Sequence, residues 1–257
     1  MLKHNYQILG VISSLVFLFF TFIPALPQSI EYHNFADQAN FYSIPNTLNV
    51  LSNFPFIAVG LYALTKIGHN STELFDHKLA LSYQLFFAGL IATGVGSSFY
   101  HVNPNNFTLI FDRLGIAFSF MAIFSALLGE FISVTLGKKC LLPFIFIGIG
   151  SVIYWGVSEH FQQGDLRVYL LVQYLPMIIL PIIVLTKAWP YTDKNQCFTL
   201  IAIYFLAKLC ELFDNELYDL IQIVSGHTLK HLFAAFAGYW MYWILIHRKQ
   251  RQRGRGS

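Results

Sequence analysis

The chemistry this sequence most plainly offers is carried by three histidines: His101, His227 and His231. His227 and His231 are four residues apart, so on a helix they share one face and can grip a single metal ion. A third imidazole from another helix leaves the fourth tetrahedral position of a zinc ion open to water. Zinc brings the pKa of such a water to about 7, making it a nucleophile at neutral pH. Two more residues suit that chemistry. Ser97, four residues before His101, shares its helix face and can donate a hydrogen bond to a developing oxyanion. Asp112 can orient the water and carry its proton.

These residues matter more because of where they sit. The chain of 257 residues is 56% hydrophobic and 11% charged, against about 25% charged in a soluble domain. It therefore reads as an all-α integral membrane protein. Apolar runs of spanning length occur at about 7–26, 47–66, 79–100, 108–130, 141–158, 168–187, 197–216 and 228–246. The last seven predict a seven-helix core, and the first an extra N-terminal span. In domain terms, residues 1–28 form an anchor or signal-like span, 29–247 the seven-helix domain, and 248–257 a basic tail.

Lys and Arg positions orient the spans. With Lys3 in the cytoplasm, alternate connections hold Lys66 and Lys78, Lys138 and Lys139, Lys187 and Lys194, then the tail from Arg248 to Arg255. The opposite connections hold little beyond Arg167, with Arg113 and Lys230 just inside spans on that side. Both termini are thus expected in the cytoplasm. The basic tail suits a surface of anionic lipid rather than nucleic acid. The first run is long for a signal peptide and no clear Ala-x-Ala site follows, so a retained anchor is favoured. Cys140, Cys197 and Cys210 form no paired spacing and read as small apolar fillers.

This topology puts Ser97, His101, Asp112, His227 and His231 at one membrane depth, near the outer face. Singly, each has a structural reading: a histidine at a span end is commonly an interfacial hydrogen-bonder, and His-x-x-x-His arises by chance. Jointly they point to a metal site, since ionisable residues inside a membrane are costly. His33 and His160 fall in outer loops and His4, His69, His77 and His247 in inner flanks, where solvation is expected. Lys208, Glu211 and Asp214 on the seventh run read as a structural charge network, with Lys208 and Glu211 spaced for an ion pair. Glu130 reads as interfacial.

The segments Gly94-Val95-Gly96-Ser97-Ser98-Phe99-Tyr100-His101, Leu109-Ile110-Phe111-Asp112-Arg113-Leu114 and Gly226-His227-Thr228-Leu229-Lys230-His231 resemble the alkaline ceramidase family. That family belongs to a wider group of membrane hydrolases that also includes the progestin and adiponectin receptors. The resemblance extends to Asn46, Asn49, Val50, Leu51, Ser52 and Asn53 and to Asp214-Asn215, covering roughly residues 31–246. It implies zinc held by His101, His227 and His231, an oxyanion contact from Ser97 and a proton-carrying Asp112. The implied reaction is hydrolysis of the N-acyl amide of ceramide, or a related lipid amide entering from the bilayer. Family members can bind calcium through an acid-rich N-terminal stretch. Here that stretch offers only Glu31 and Asp37, which argues against calcium and leaves Asn46, Asn49 and Asn53 to tie helix ends together.

Three other function classes stay open. A receptor on the same scaffold would keep a structural zinc without turnover. A haem protein would need two opposed imidazoles, and a proton-coupled transporter would use the intramembrane carboxylates.

Overall fold

The computed structural model describes residues 10, 14, 17–19, 21–74, 79–186 and 195–247. Among them, regular structure is helical, with one isolated bridge between Phe41 and Ile44. The helices are α1 (Thr47–Leu51), α2 (Phe54–Leu74), α3 (Ala80–Val102), α4 (Asn106–Phe131), α5 (Val134–His160), α6 (Arg167–Thr186), α7 (Asn195–Leu212), α8 (Asp214–Ile221) and α9 (Gly226–His247). Six stretches are long and apolar enough to cross a membrane: Thr47–Ile67, α3, α4, α5, α6 and α7. The chain is therefore a multi-pass, membrane-embedded, all-α protein.

Six of the eight expected spans coincide with these stretches, with boundaries that differ by up to seven residues. The expected span at 7–26 falls partly outside the described residues, and the basic tail, Lys3, Lys78, Lys187 and Lys194 lie wholly outside them. The run expected at 228–246 is helix α9, of 22 residues. Its first two turns carry His227, Lys230 and His231, which lowers its apolarity. At 1.5 Å per residue it is about 33 Å long.

Two expected spans are interrupted. The 47–66 run breaks at Ser52 and Asn53, which separate α1 from α2. The 197–216 run ends at Leu212, and Asp214 opens the separate helix α8 instead of continuing α7.

Helix α4 is the centre of the bundle. It packs most extensively on α3 and α5 and also touches α6, while α9 packs on α7 and α2. Small residues let α3 and α4 approach closely. A Cβ at Gly115 would lie 2.5 Å from the backbone nitrogen of Thr93, and one at Gly96 would collide with the carbonyl oxygen of Phe111. That closeness brings Ser97 on α3 beside Asp112 on α4. A capping box at Asn105 and Thr108 starts α4 and fixes how far into the helix Asp112 falls.

Between α5 and α6 Arg167 is clamped. Its Nη2 lies 2.8 Å from Asp165 Oδ2, and its Nη1 donates to the Ile23 carbonyl. The guanidinium holds the Asp165 carboxyl down to about 2 through these hydrogen bonds.

Gly115→Val should force α3 and α4 apart, at a cost of about 1–3 kcal/mol. A clear drop in thermal midpoint in detergent is expected. An unchanged midpoint would mean that the two helices are not locked at this contact.

Candidate metal centre

The first turns of α9 and the last turn of α3 meet at one end of the bundle. There the rings of His101, His227 and His231 form a near-equilateral triangle, with centroids 4.9, 5.0 and 4.8 Å apart. Each ring offers a nitrogen, and these lie within 4.8 Å of one another. All three side chains are buried, at 1%, 5% and 3% exposure. The group could hold a metal ion. The rings meet edge to face, unlike the opposed pair that would flank a haem iron.

Local structure explains why the triangle forms. Asp214 Oδ1 accepts a hydrogen bond from the His227 backbone nitrogen at 2.6 Å, placing a carboxylate at the N-terminus of α9. Its Oδ2 accepts from Ala36, tying the segment before α1 to the same point. Asn46 adopts a left-handed conformation (φ 48°), which asparagine tolerates better than most residues. Its side chain donates to the His101 carbonyl at 2.9 Å. Asn49 donates to Asp37 and accepts from Thr228 on α9, and Asn53 donates to Asn49. The asparagines therefore do tie helix ends together.

Ser52 sets the tautomer of His231. Its hydroxyl donates to the Asn49 carbonyl at 3.0 Å and so accepts from His231 Nδ1 at 2.8 Å. Nδ1 then carries the proton, and Nε2 presents a lone pair. His101 Nδ1 is buried with no hydrogen-bond partner among the described residues. A buried imidazole nitrogen left without a partner is what a bound cation would satisfy. The donor set suits a metal that takes neutral imidazoles.

The segment before α1 covers the triangle. Phe35 packs at a tilt against His101 and His227, with ring centroids 4.6 and 4.7 Å away, and Tyr100 packs on His101 at 4.9 Å. His33, expected to be solvated, instead bonds the Tyr100 hydroxyl and Asn106 Oδ1, both at 2.9 Å. Its neighbours come from α3 and α4, which local sequence cannot reveal.

Ser97 on α3 and Asp112 on α4 are both buried. Together with His231 they line one end of a cavity of about 460 Å³. The cavity runs inward along α4 from Asp112 to Leu127, about 22 Å at the helical rise. Beyond the polar end its walls are apolar: Phe86, Leu90, Ile123, Met177, Leu180 and Met241. Half-exposed Tyr174 and Phe205 line it between α6 and α7. Those two helices touch least of any consecutive pair of spans.

The expected ion pair between Lys208 and Glu211 is present at 2.7 Å. Lys230 joins it from α9, 2.8 Å from Glu211. Sequence reasoning used Lys230 and Arg113 only for topology and gave Ser52 no role of its own. A lysine directly preceding a candidate ligand, and an arginine directly following Asp112, were the available signals. Glu130 accepts a hydrogen bond from the Tyr83 hydroxyl at 2.5 Å. Cys140, Cys197 and Cys210 are free thiols, and the last two are buried.

Comparison with known proteins supplies no relative: no family model matches the chain, and no curated protein or solved structure matches it.

Ser52→Ala removes the acceptor that orients His231. Metal affinity should fall by about 10-fold or more, read by competition with a chromophoric chelator. An unchanged affinity would remove Ser52 from the site.

Proposed function

We propose that this protein is a zinc-dependent intramembrane amidohydrolase that cleaves the N-acyl amide of ceramide or a related lipid amide. The products are a sphingoid base or other lipid amine and a free fatty acid. The observation that carries this reading is a triangle of three buried imidazoles, one of which, His231, lines the polar end of a long apolar cavity together with Ser97 and Asp112. The motif resemblance to alkaline ceramidases supports the substrate class. In this reading α9 is the seventh span of the core, the run at 7–26 is an eighth, and both termini lie in the cytoplasm. The metal centre then lies just beneath the outer headgroups.

His101, His227 and His231 would hold the ion. Zinc supplies Lewis-acid polarisation of a carbonyl and acidification of water. The chain's own residues do the rest. Asp112 takes a proton from the attacking water and returns it to the departing nitrogen as the C–N bond breaks and the C–O bond forms. Ser97, a neighbour of Asp112 in the resting site, donates to the oxygen that gains charge. Phe35 and Tyr100 exclude bulk water from the triad. The apolar walls take an acyl chain, and the seam between α6 and α7 gives it a route in from the bilayer.

The second reading, a receptor with a structural metal on the same scaffold, has less support. A structural zinc site is closed by four protein ligands, whereas three imidazoles converge here beside an acid and a cavity.

Purified protein should carry about one zinc and hydrolyse labelled ceramides. Asp112→Asn should keep the metal and lose about 10²–10⁴-fold in kcat. Full turnover in a metal-replete Asp112→Asn protein would defeat the mechanism. Bound zinc with no turnover on any lipid amide would favour the receptor.

A further inference from the structure

The polar end of the cavity holds more positive than negative charge. Lys208, Lys230 and Arg113 line it together with only two carboxylates, Glu211 and Asp112. Glu211 is shared by both lysines, at 2.7 and 2.8 Å. Arg113 forms no ion pair among the described residues and is 5% exposed. One terminal nitrogen donates to the neutral Gln28 side chain at 2.5 Å, and Nη1 has no partner among the described residues. Its guanidinium is held against the faces of Trp155, Tyr169 and Tyr32, with centroids 4.0, 4.8 and 5.6 Å away.

Aromatic faces stabilise a buried cation but leave its hydrogen-bonding capacity unused. A buried charge without a counter-ion is expensive, and inside a membrane it marks a ligand site. Arg113 directly follows Asp112 in α4, and Lys230 lies one residue from His231 in α9. Both act electrostatically on Asp112. A divalent ion at the histidines would add to the surplus.

We propose that Arg113 and Lys230 form an anion subsite for the lipid headgroup, so that the preferred substrates are lipid amides bearing a carboxylate or phosphate rather than neutral ones. This rests on the amidohydrolase reading for the word substrate, but the subsite itself requires only binding. The negative oxygen occupies the polar end beside Asp112, and the acyl chain extends down the apolar walls. Arg113 and Lys230 are positioning residues. They select the headgroup and hold its amide against the metal centre.

The test uses the full-length, zinc-loaded protein in detergent. Binding of N-palmitoylglycine, ceramide 1-phosphate, N-palmitoylethanolamine and unphosphorylated ceramide is measured by thermophoresis, beside kcat and KM for each lipid. At least one acidic lipid should bind about tenfold or more tightly than its neutral counterpart, and which one does so identifies carboxylate or phosphate. The ratio should fall towards one in Arg113→Gln and in Lys230→Gln, mainly through KM, and recover in part in Arg113→Lys. Zinc content is measured in every variant. If Lys230→Gln loses the metal, Arg113→Gln and its lysine rescue decide. Equal affinity for acidic and neutral lipids, or a preference that survives Arg113→Gln in folded protein, overturns the subsite. Acid-selective binding without cleavage would leave the subsite standing and remove the hydrolase. Cleavage of neutral amides without selectivity would do the reverse.

Discussion

Three imidazole rings with centroids 4.8–5.0 Å apart, each more than nine-tenths buried, need something to hold them together. A neutral imidazole has one donor and one acceptor, and two such rings can satisfy each other only through a hydrogen bond. None joins any pair of the three among the described residues. Ser52 engages His231 from behind, and His101 keeps a buried nitrogen without a partner. A cation at the centre resolves both the crowding and the missing partner. Much of the surrounding structure serves this arrangement. Asp214 fixes the start of α9, Asn46 the end of α3, and Gly96 and Gly115 the approach of α3 to α4.

The asymmetry of the surroundings is what supports the proposed chemistry. On one side the triad is sealed by Phe35 and Tyr100. On the other it opens, past His231, onto a cavity that holds Ser97, Asp112 and an unusual surplus of cations. A purely structural site needs neither an internal acid nor a tunnel about 22 Å deep. Placing the part-buried Lys208 and Lys230 beside the buried Arg113 in a membrane protein is costly, and the Glu211 carboxylate compensates only part of that charge.

How much of this was legible in the sequence follows from the range of the forces involved. Span positions depend on local apolarity, so six expected runs match observed stretches and a seventh matches α9. The meeting of His101 with His227 and His231 was legible because span topology places all three at the same depth. The breaks at Ser52 and Phe213 were not, since each is set by contacts with distant residues, such as Ser52 with His231 and Asp214 with Ala36 and His227. Residues 27–46 lie between two expected spans. Their role as a cover emerges only when Phe35, His33 and Asn46 find partners on α3, α4 and α9. The same applies to Arg113, whose aromatic surround comes from α5, α6 and the segment before α1.

The central claim is that one metal ion sits among His101, His227 and His231. Zinc-edge X-ray absorption on the purified protein tests it most directly. Three imidazole nitrogens at about 2.0–2.1 Å and one oxygen ligand are expected. Sulfur at about 2.3 Å, or a spectrum unchanged by His101→Ala and His231→Ala, would contradict it.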